Sequence, residues 1–302
     1  TLERSCRTMG KIKKLIARGI FSNKITAGIY YYMHYGKKVS NDSLVSIIKQ
    51  IAHRFDHRFM RGTPINSKDV FEIEYLLALS VKRGIKFDDS MMWALGLYSL
   101  AKLNATNSYI LREKEKRDYN YSSILSGIIK NRRSIRKWNS NEVDLQLVRD
   151  IIGISLWAPS SCNRQPVRVI VLDDEQKDFI KKYFPGTFWH SAPVQILVLC
   201  NSDIYSDNEI YFLYLDGGAF IQNMTLLLHE AGLGACWLGF KKWNVKRELF
   251  CDIEEFNDFY EYFNIDKDLI PLSMVVVGEY NHIPNTPARH GLDTIILGCD
   301  KK

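Results

Sequence analysis

The run Arg132–Leu172 reads RRSIRKWNSNEVDLQLVRDIIGISLWAPSSCNRQPVRVIVL, and it holds a basic segment, a helix, a loop and a strand in that order. Arg132-Arg133-Ser134-Ile135-Arg136 opens it and follows a helix predicted over Ser123–Lys130. Three guanidiniums and a hydroxyl within five residues form either an anion cradle, since arginine matches phosphate bidentately, or a solvated charged surface. Asp144 is placed to cap a helix carrying Leu145, Val148, Ile151 and Ile152, with Val143 and Val148 at the spacing of a hydrophobic staple. The loop Ala158–Pro166 then displays Ser160, Ser161, Asn163, Arg164 and Gln165 between Pro159 and Pro166. Two prolines pin such a loop. Its amides either pair with a ligand that offers donors and acceptors together, or serve as ordinary turn caps. Val167–Leu172 is β-branched and apolar, the pattern of a buried strand.

The same alternation continues downstream. Val194–Cys200 and Met274–Gly278 read as further buried strands, and Asp216–Gly232 as a helix apolar nearly all round, which must be buried. Gly217, Gly218 and Ala219 on that helix suggest a close approach of another backbone. Gly232-Leu233-Gly234-Ala235-Cys236-Trp237-Leu238-Gly239 reads either as glycines admitting a flat ligand to the main chain, or as a helix C-cap followed by a strand. It lacks the spacing of a dinucleotide fingerprint and follows a helix rather than a strand. Near the end, Pro287-Ala288-Arg289 offers one more guanidinium.

Upstream, the texture is helical only. Asn41 or Asp42 is expected to cap a helix striped by Leu44, Ile47, Ile48, Ile51, Phe55 and Phe59. Ser67 is expected to cap a second, with Val70, Ile73, Leu76, Leu77 and Val81, closed by Gly84. Asp88 or Asp89 opens a third through Met92, Leu95, Leu97 and Leu100, and apolar helices are expected around Ile16–Phe21 and Ile25–Tyr35. The charge run Arg112–Asp118, a solvated helix extension or a linker, marks the boundary between residues 1–115 and 116–302.

With 302 residues, 46% hydrophobic and 25% charged, the chain suits two soluble domains. No run approaches the ~18 apolar residues of a membrane span, and Thr1–Lys14 lacks the apolar core of a secretory signal. The net charge of +7 gathers in short runs, Lys11–Lys14, Lys37–Lys38 and Arg132–Lys137, expected to be solvated faces rather than a nucleic-acid surface. Tyr30–Tyr32 and Tyr35 are expected to pack rather than stack on bases. Cys6, Cys162, Cys200, Cys236, Cys251 and Cys299 form no C-x-x-C pair, which points to a reduced, cytoplasmic setting without zinc. His53 and His57 have ligand spacing but lack an evident third ligand, so no metal is expected. Trp189 and His190 either face a pocket or cover the sheet edge.

Taken together, RRSIR, APSSCNRQP, DGGAFIQN with GLGACWLG, and Pro287-Ala288-Arg289 resemble the nitroreductase superfamily over roughly Ser122–Leu297. The resemblance implies an α+β sandwich, a mostly antiparallel sheet flanked by helices, here preceded by an all-α N-terminal region. It implies a homodimer with FMN at the interface. Arg132, Ser134 and Arg136 would hold the FMN phosphate, ribityl chain and pyrimidine edge, with Arg289 also on the phosphate and Arg133 adjacent. Pro159, Ser160, Ser161, Asn163 and Gln165 would reach the flavin bound mainly to the other subunit. Trp237, Leu238 and Gly239 would line the isoalloxazine, with a backbone N–H near N5. The implied activity is ping-pong reduction of a small acceptor (nitroaromatic, quinone or enone) by NAD(P)H through flavin N5, with no protein nucleophile, general acid or metal. Two other readings are a flavin-dependent dehydrogenase of a peptide or other biosynthetic intermediate, and a non-catalytic binding protein on the flavin fold. Substrate pockets in this fold are set by variable loops, here Lys181–Trp189 and Asn201–Tyr211. Two departures stand out: Val167 where many relatives carry an aromatic, and Arg289 alone where the C-terminal motif often has two basic residues. The resemblance does not extend to residues 1–115, a helical region whose role it leaves open.

Overall fold

A computed structural model describes residues 31, 35, 39–104, 123–184, 186–240, 256–286, 288–289 and 295–296. The helix expected at Ile16–Phe21, most of that at Ile25–Tyr35, the run Arg112–Asp118, and Cys6, Cys251 and Cys299 lie outside the described residues. The described residues fall into two compact units. One takes those within Thr1–Arg117, Pro159–Pro166 and Asn201–Asp216; the other takes those within Asp118–Ala158, Val167–Cys200 and Gly217–Lys302.

The first unit is built on α1 (Asn41–Met60), α2 (Ser67–Lys82) and α3 (Asp89–Lys102). Two of the expected caps move by one residue. Ser40, not Asn41 or Asp42, accepts from the Ser43 amide, and Asn66, not Ser67, accepts from the Lys68 amide. In both cases the capping residue is the last with extended backbone, where a side-chain oxygen can fold back onto the first free amides. Asp88 caps α3 as expected, through the Met91 amide. Gly84, at φ +69, follows the Arg83 cap in the left-handed conformation that glycine tolerates. Leu44, Ile48, Ile51 and Phe55 of α1 meet Ile73, Leu76 and Leu77 of α2 and Met91, Ala94, Leu97, Tyr98 and Ala101 of α3 in one core. The expected stripe on α3 holds at Leu97, which is buried, and at Leu95 and Leu100, which pack against the core, but Met91 rather than Met92 is the buried methionine, Met92 being 53% exposed. The segment MMWALGLY is apolar on every side, so periodicity alone does not choose the inner face. Val81, expected in the α2 stripe, is exposed. Tyr31 is buried and stacks on Tyr35.

The second unit is a four-stranded sheet in the order β1-β2-β4-β3, with β1 (Val167–Val171), β2 (Val194–Asn201), β3 (Gly234–Leu238) and β4 (Leu269–Gly278). β1 runs antiparallel to β2, with Val167 opposite Cys200, and β3 antiparallel to β4, with Gly234 opposite Gly278. Around it lie α4 (Ile124–Asn131), α5 (Leu145–Ser155), α6 (Asp174–Phe179), α7 (Phe212–Glu230), whose first turn belongs to the first unit, and α8 (Asn257–Phe263). Val148 and Ile151 of α5 and Phe220, Ile221, Met224 and Leu228 of α7 cover Val194, Ile196, Val198, Val275 and Val277. Asp144 caps α5, and Val143 packs into the same cluster as Val148.

α7 departs from expectation twice. It begins at Phe212, so Asp216 lies inside the helix rather than at its start. Its glycines receive sheet side chains rather than another backbone. A Cβ on Gly217 would stand 2.1 Å from Leu272 Cδ1 and 3.0 Å from Cys200 Sγ, so a side chain there would have to displace both.

Candidate cofactor site

The basic segment is held against the free edge of the sheet. α4 ends at Asn131, and the amide of Arg132 closes it by donating to the Ile128 carbonyl at 2.9 Å. The chain then extends, and Ser134 forms a parallel bridge with Ala235 of β3. The Ile135 amide donates to the Ala235 carbonyl at 3.0 Å. Alternation of an extended chain buries Ile135 at 3% exposure and turns its neighbours Ser134 and Arg136 the other way. Trp138, buried, donates its indole N–H to the Gly234 carbonyl at 3.4 Å and anchors the far end.

The three arginines have different jobs. Arg133 donates to the Lys130 and Arg132 carbonyls and to Thr286 Oγ at 2.6 Å, so it ties the C-terminal segment to the motif. Arg136 is exposed, reaches the Ser134 carbonyl at 3.3 Å and lies over the Phe188 ring at 5.9 Å. The half-buried Arg132 guanidinium makes no hydrogen bond or ion pair among the described residues. Arg289 is exposed and touches only the Ala288 carbonyl among them. The field of these cations is felt nearby. Burial, then the charges of Arg132 and Arg133, hold His229 below its ordinary value. Burial pushes the Cys236 thiol up against the opposing pull of Arg136 and Arg132.

β3 supplies an aromatic wall. Trp237 is 46% exposed, whereas Leu238 is buried. A Cβ on Gly239 would meet nothing within 4 Å, so the space there is open. Gly234, grouped in the sequence with glycines that admit a ligand, serves packing instead: its Cβ would stand 2.6 Å from Tyr280 Cδ1 and 2.8 Å from Ile135 Cγ1. Gly232, at φ +78, terminates α7. Thr286 is a neighbour that sequence reasoning missed, because it belongs to no local motif; Phe188, in the loop Lys181–Trp189, and His229, on the helix Asp216–Gly232, lay in segments already named but were not singled out.

The loop Pro159–Pro166 belongs to the first unit. Ser160 Oγ accepts from the Gln165 amide at 3.0 Å. Ser161 donates both its amide and its hydroxyl to the Asp216 carboxylate, at 3.0 and 3.2 Å. Asn163 Oδ1 accepts from Gln165 Nε2 at 3.1 Å, and Gln165 is exposed. Cys162, Asn163 and Gln165 all take positive φ, at 52, 55 and 57°. Arg164, expected on display, is buried at 3% exposure: it pairs with Glu209 at 2.8 Å and lies over Tyr205 at 5.1 Å.

Trp189 is fully buried, with Phe184 and His190 edge-on to its ring at 5.8 and 4.2 Å. The His53 and His57 rings lie 4.2 Å apart, and among the described residues no group of three or more possible ligands gathers for a metal. No helix of the described residues is long and apolar enough to cross a membrane. Cys200 and Cys236 are buried as small apolar groups.

Comparison with known proteins places this α+β fold, with its basic segment bound to a sheet edge beside the exposed Trp237. The family model described as "Nitroreductase family" matches residues 129–187 and 180–279, half of the chain. A provisionally named NADH dehydrogenase/NAD(P)H nitroreductase of Methanothermobacter thermautotrophicus is 31% identical over 160 residues, 52% of this chain and 78% of the relative. One of the same name from Archaeoglobus fulgidus is 27% identical over 154 residues, 50% of this chain and 82% of the relative. A crystal structure of a provisionally named nitroreductase from Desulfovibrio desulfuricans, in complex with FMN, superposes with a TM-score of 0.50 at 26% identity, over 59% of this chain and 97% of that one. The chain belongs to the nitroreductase family and is a nitroreductase-like oxidoreductase.

Proposed function

We propose that the chain is an FMN-dependent oxidoreductase that draws hydride from NAD(P)H and reduces a small organic acceptor of the nitroaromatic, quinone or enone class. The observation that carries this is Arg132, a half-buried guanidinium with no protein partner among the described residues, beside Ser134 and Arg136 and close to the exposed Trp237 strand. A charged donor fork left unpaired in a folded protein suits an anionic ligand such as a phosphate. The donor set fits FMN: Arg132, Ser134, Arg136 and Arg289 for its phosphate and polar edge, and Trp237, Leu238 and Gly239 for its ring. Arg133 holds the segment at Thr286 in place. Ser160, Asn163 and Gln165, on a loop that Ser161 fastens to Asp216, would meet the flavin of a partner subunit. FMN, when bound, supplies the redox chemistry. The chain's part is to bind it, to offer backbone N–H groups at Leu238 and Gly239 to the charge that develops on the ring, and to shield that face with Trp237.

A homodimer accompanies this reading. Ile124, Leu125 and Ile129 of α4 and Ile154, Leu156 and Trp157 around the end of α5 are exposed, Trp157 at 87%, and apolar surface of this extent calls for a partner. A reduced, cytoplasmic setting suits Cys162, Cys200 and Cys236, which form no disulfide among the described residues.

The test is the absorbance spectrum of the purified protein, followed anaerobically as NADPH and then NADH are added. A flavin spectrum that bleaches with either supports the reading. A flavin that does not bleach removes the NAD(P)H half and leaves a flavin-dependent dehydrogenase. No flavin after reconstitution with FMN overturns it.

A further inference from the structure

The loop Pro159–Pro166 is held in a conformation that its residues would not choose. Three non-glycine residues in four, Cys162, Asn163 and Gln165, occupy the left-handed region that L side chains avoid. Such a conformation persists only where the surroundings over-determine it. Here the surroundings are the helical unit itself. Lys49, in the middle of α1 and 6% exposed, donates through Nζ to the Arg164 carbonyl at 2.9 Å, between the two strained turns. On the same residue, the Arg164 guanidinium is clamped by Glu209 and covered by Tyr205. Tyr205 in turn donates to Asp216 at 2.7 Å, the carboxylate that also holds Ser161. Nearly two turns before Lys49 the N-terminus of α1 grips the neighbouring segment: Ser43 donates to Asp203, and Asn201 Nδ2 donates to Asp42 at 2.9 Å.

Lys49 interrupts the buried side of α1, where Leu44, Ile48, Ile51 and Ala52 are fully buried. An ammonium in that place is costly unless its hydrogens are used. Its charge is felt at Asp88: burial pushes that carboxyl up, but bonds from Ser90 and the Met91 amide, with the Lys49 charge, outweigh it and hold it low. An apolar residue would satisfy the core but leave the Arg164 carbonyl without this donor.

We propose that the N-terminal helical region is a working part of the flavin site, and that Lys49 is a positioning residue which, with the Arg164–Glu209 pair, fixes the loop presenting Asn163 and Gln165 to FMN. This rests on the FMN reading above. It gives the region before residue 115 a role in cofactor affinity, although it lies outside the residues matched by the family model.

The experiment titrates full-length protein with FMN by flavin fluorescence. Lys49→Met weakens FMN binding about tenfold, the scale of a charge-assisted hydrogen bond, and Lys49→Arg restores most of it. In a Gln165→Ala background the same Lys49→Met change has less than about a twofold effect, because the loop it positions no longer contributes. A merely structural lysine gives the same loss in both backgrounds, and that result overturns the proposal. If Lys49→Met does not fold, Glu209→Gln takes its place in the same cycle, with the same two outcomes. Wild-type protein that does not bind FMN overturns the FMN reading and this inference with it. Wild-type affinity that Arg132→Ala loses and Lys49→Met keeps overturns this inference alone.

Discussion

Substituting Gly234 by alanine tests whether the basic segment depends on its seat against β3. The added methyl would stand 2.6 Å from Tyr280 Cδ1, 2.8 Å from Ile135 Cγ1 and 2.9 Å from Ile135 Cβ, where ordinary contact begins at 3.4 Å. The Tyr280 ring can swing aside. Ile135 Cβ cannot, being one bond from the backbone, so the main chain must retreat by about 0.5 Å, the difference between 3.4 and 2.9 Å. That retreat strains the 3.0 Å bond from the Ile135 amide to Ala235 and the bridge at Ser134. Overpacking of this kind costs about 1–3 kcal/mol. Because Arg132, Ser134 and Arg136 ride on the same backbone, FMN affinity falls roughly tenfold as well, on the sensitivity of bound geometries to sub-ångström displacement. Urea unfolding followed by tryptophan fluorescence reads the first effect, and FMN titration the second. A variant with an unchanged midpoint and unchanged FMN affinity would show that the segment does not depend on this contact.

Other substitutions divide binding from stability differently. Arg132→Ala weakens FMN binding by about 1–3 kcal/mol, the scale of a charged hydrogen bond left unmade, while the urea midpoint stays where it was; equal affinity in a fluorescence titration refutes the phosphate role. Gly239→Ala, with nothing within 4 Å of its Cβ, leaves stability unchanged but weakens FMN binding if the open space there receives the ring; normal affinity refutes that placement. Glu209 predicts a pH dependence. Its carboxyl is held below its usual range by the Ser206 hydroxyl, with burial opposing and Arg164 reinforcing. A depressed folded value stabilises above the ordinary value of 4.5 and loses that contribution as the pH falls through the lower folded one. Unfolding midpoints of wild type and Glu209→Gln, separated at pH 7, therefore converge toward pH 3; a constant gap refutes the coupling.

The sheet was legible because the apolar runs Val194–Cys200 and Met274–Gly278 are strands covered on both sides, every residue of β2 being buried. Boundaries were less so. The caps at Ser40 and Asn66 each stand beside another residue able to cap, and only backbone dihedrals separate the two. Glycines were the weakest inference. A sequence shows that a side chain is missing but not what fills its space, and at Gly217 and Gly234 that space belongs to Leu272 and to Ile135 with Tyr280.

The candidate site separates along the same line. Arg132, Ser134 and Arg136 could be nominated because their chemistry is local: donors crowded within five residues. What positions them is not. Arg133 looks equal to its neighbours in the sequence yet is consumed by Lys130, Arg132 and Thr286, the last of them in another part of the chain. Likewise Arg164 is written among displayed polar residues but is buried on Glu209 and Tyr205. The division of RRSIR and APSSCNRQP, adjacent along one run, between two units explains why. The loop's conformation answers to residues from α1 and from the turn before α7, none of which shares its motif. Candidate ligand donors can therefore be nominated from short segments of this chain, whereas the bonds that hold the loop, from Lys49 to the Arg164 carbonyl and from Ser161 to Asp216, appear only once the chain has folded.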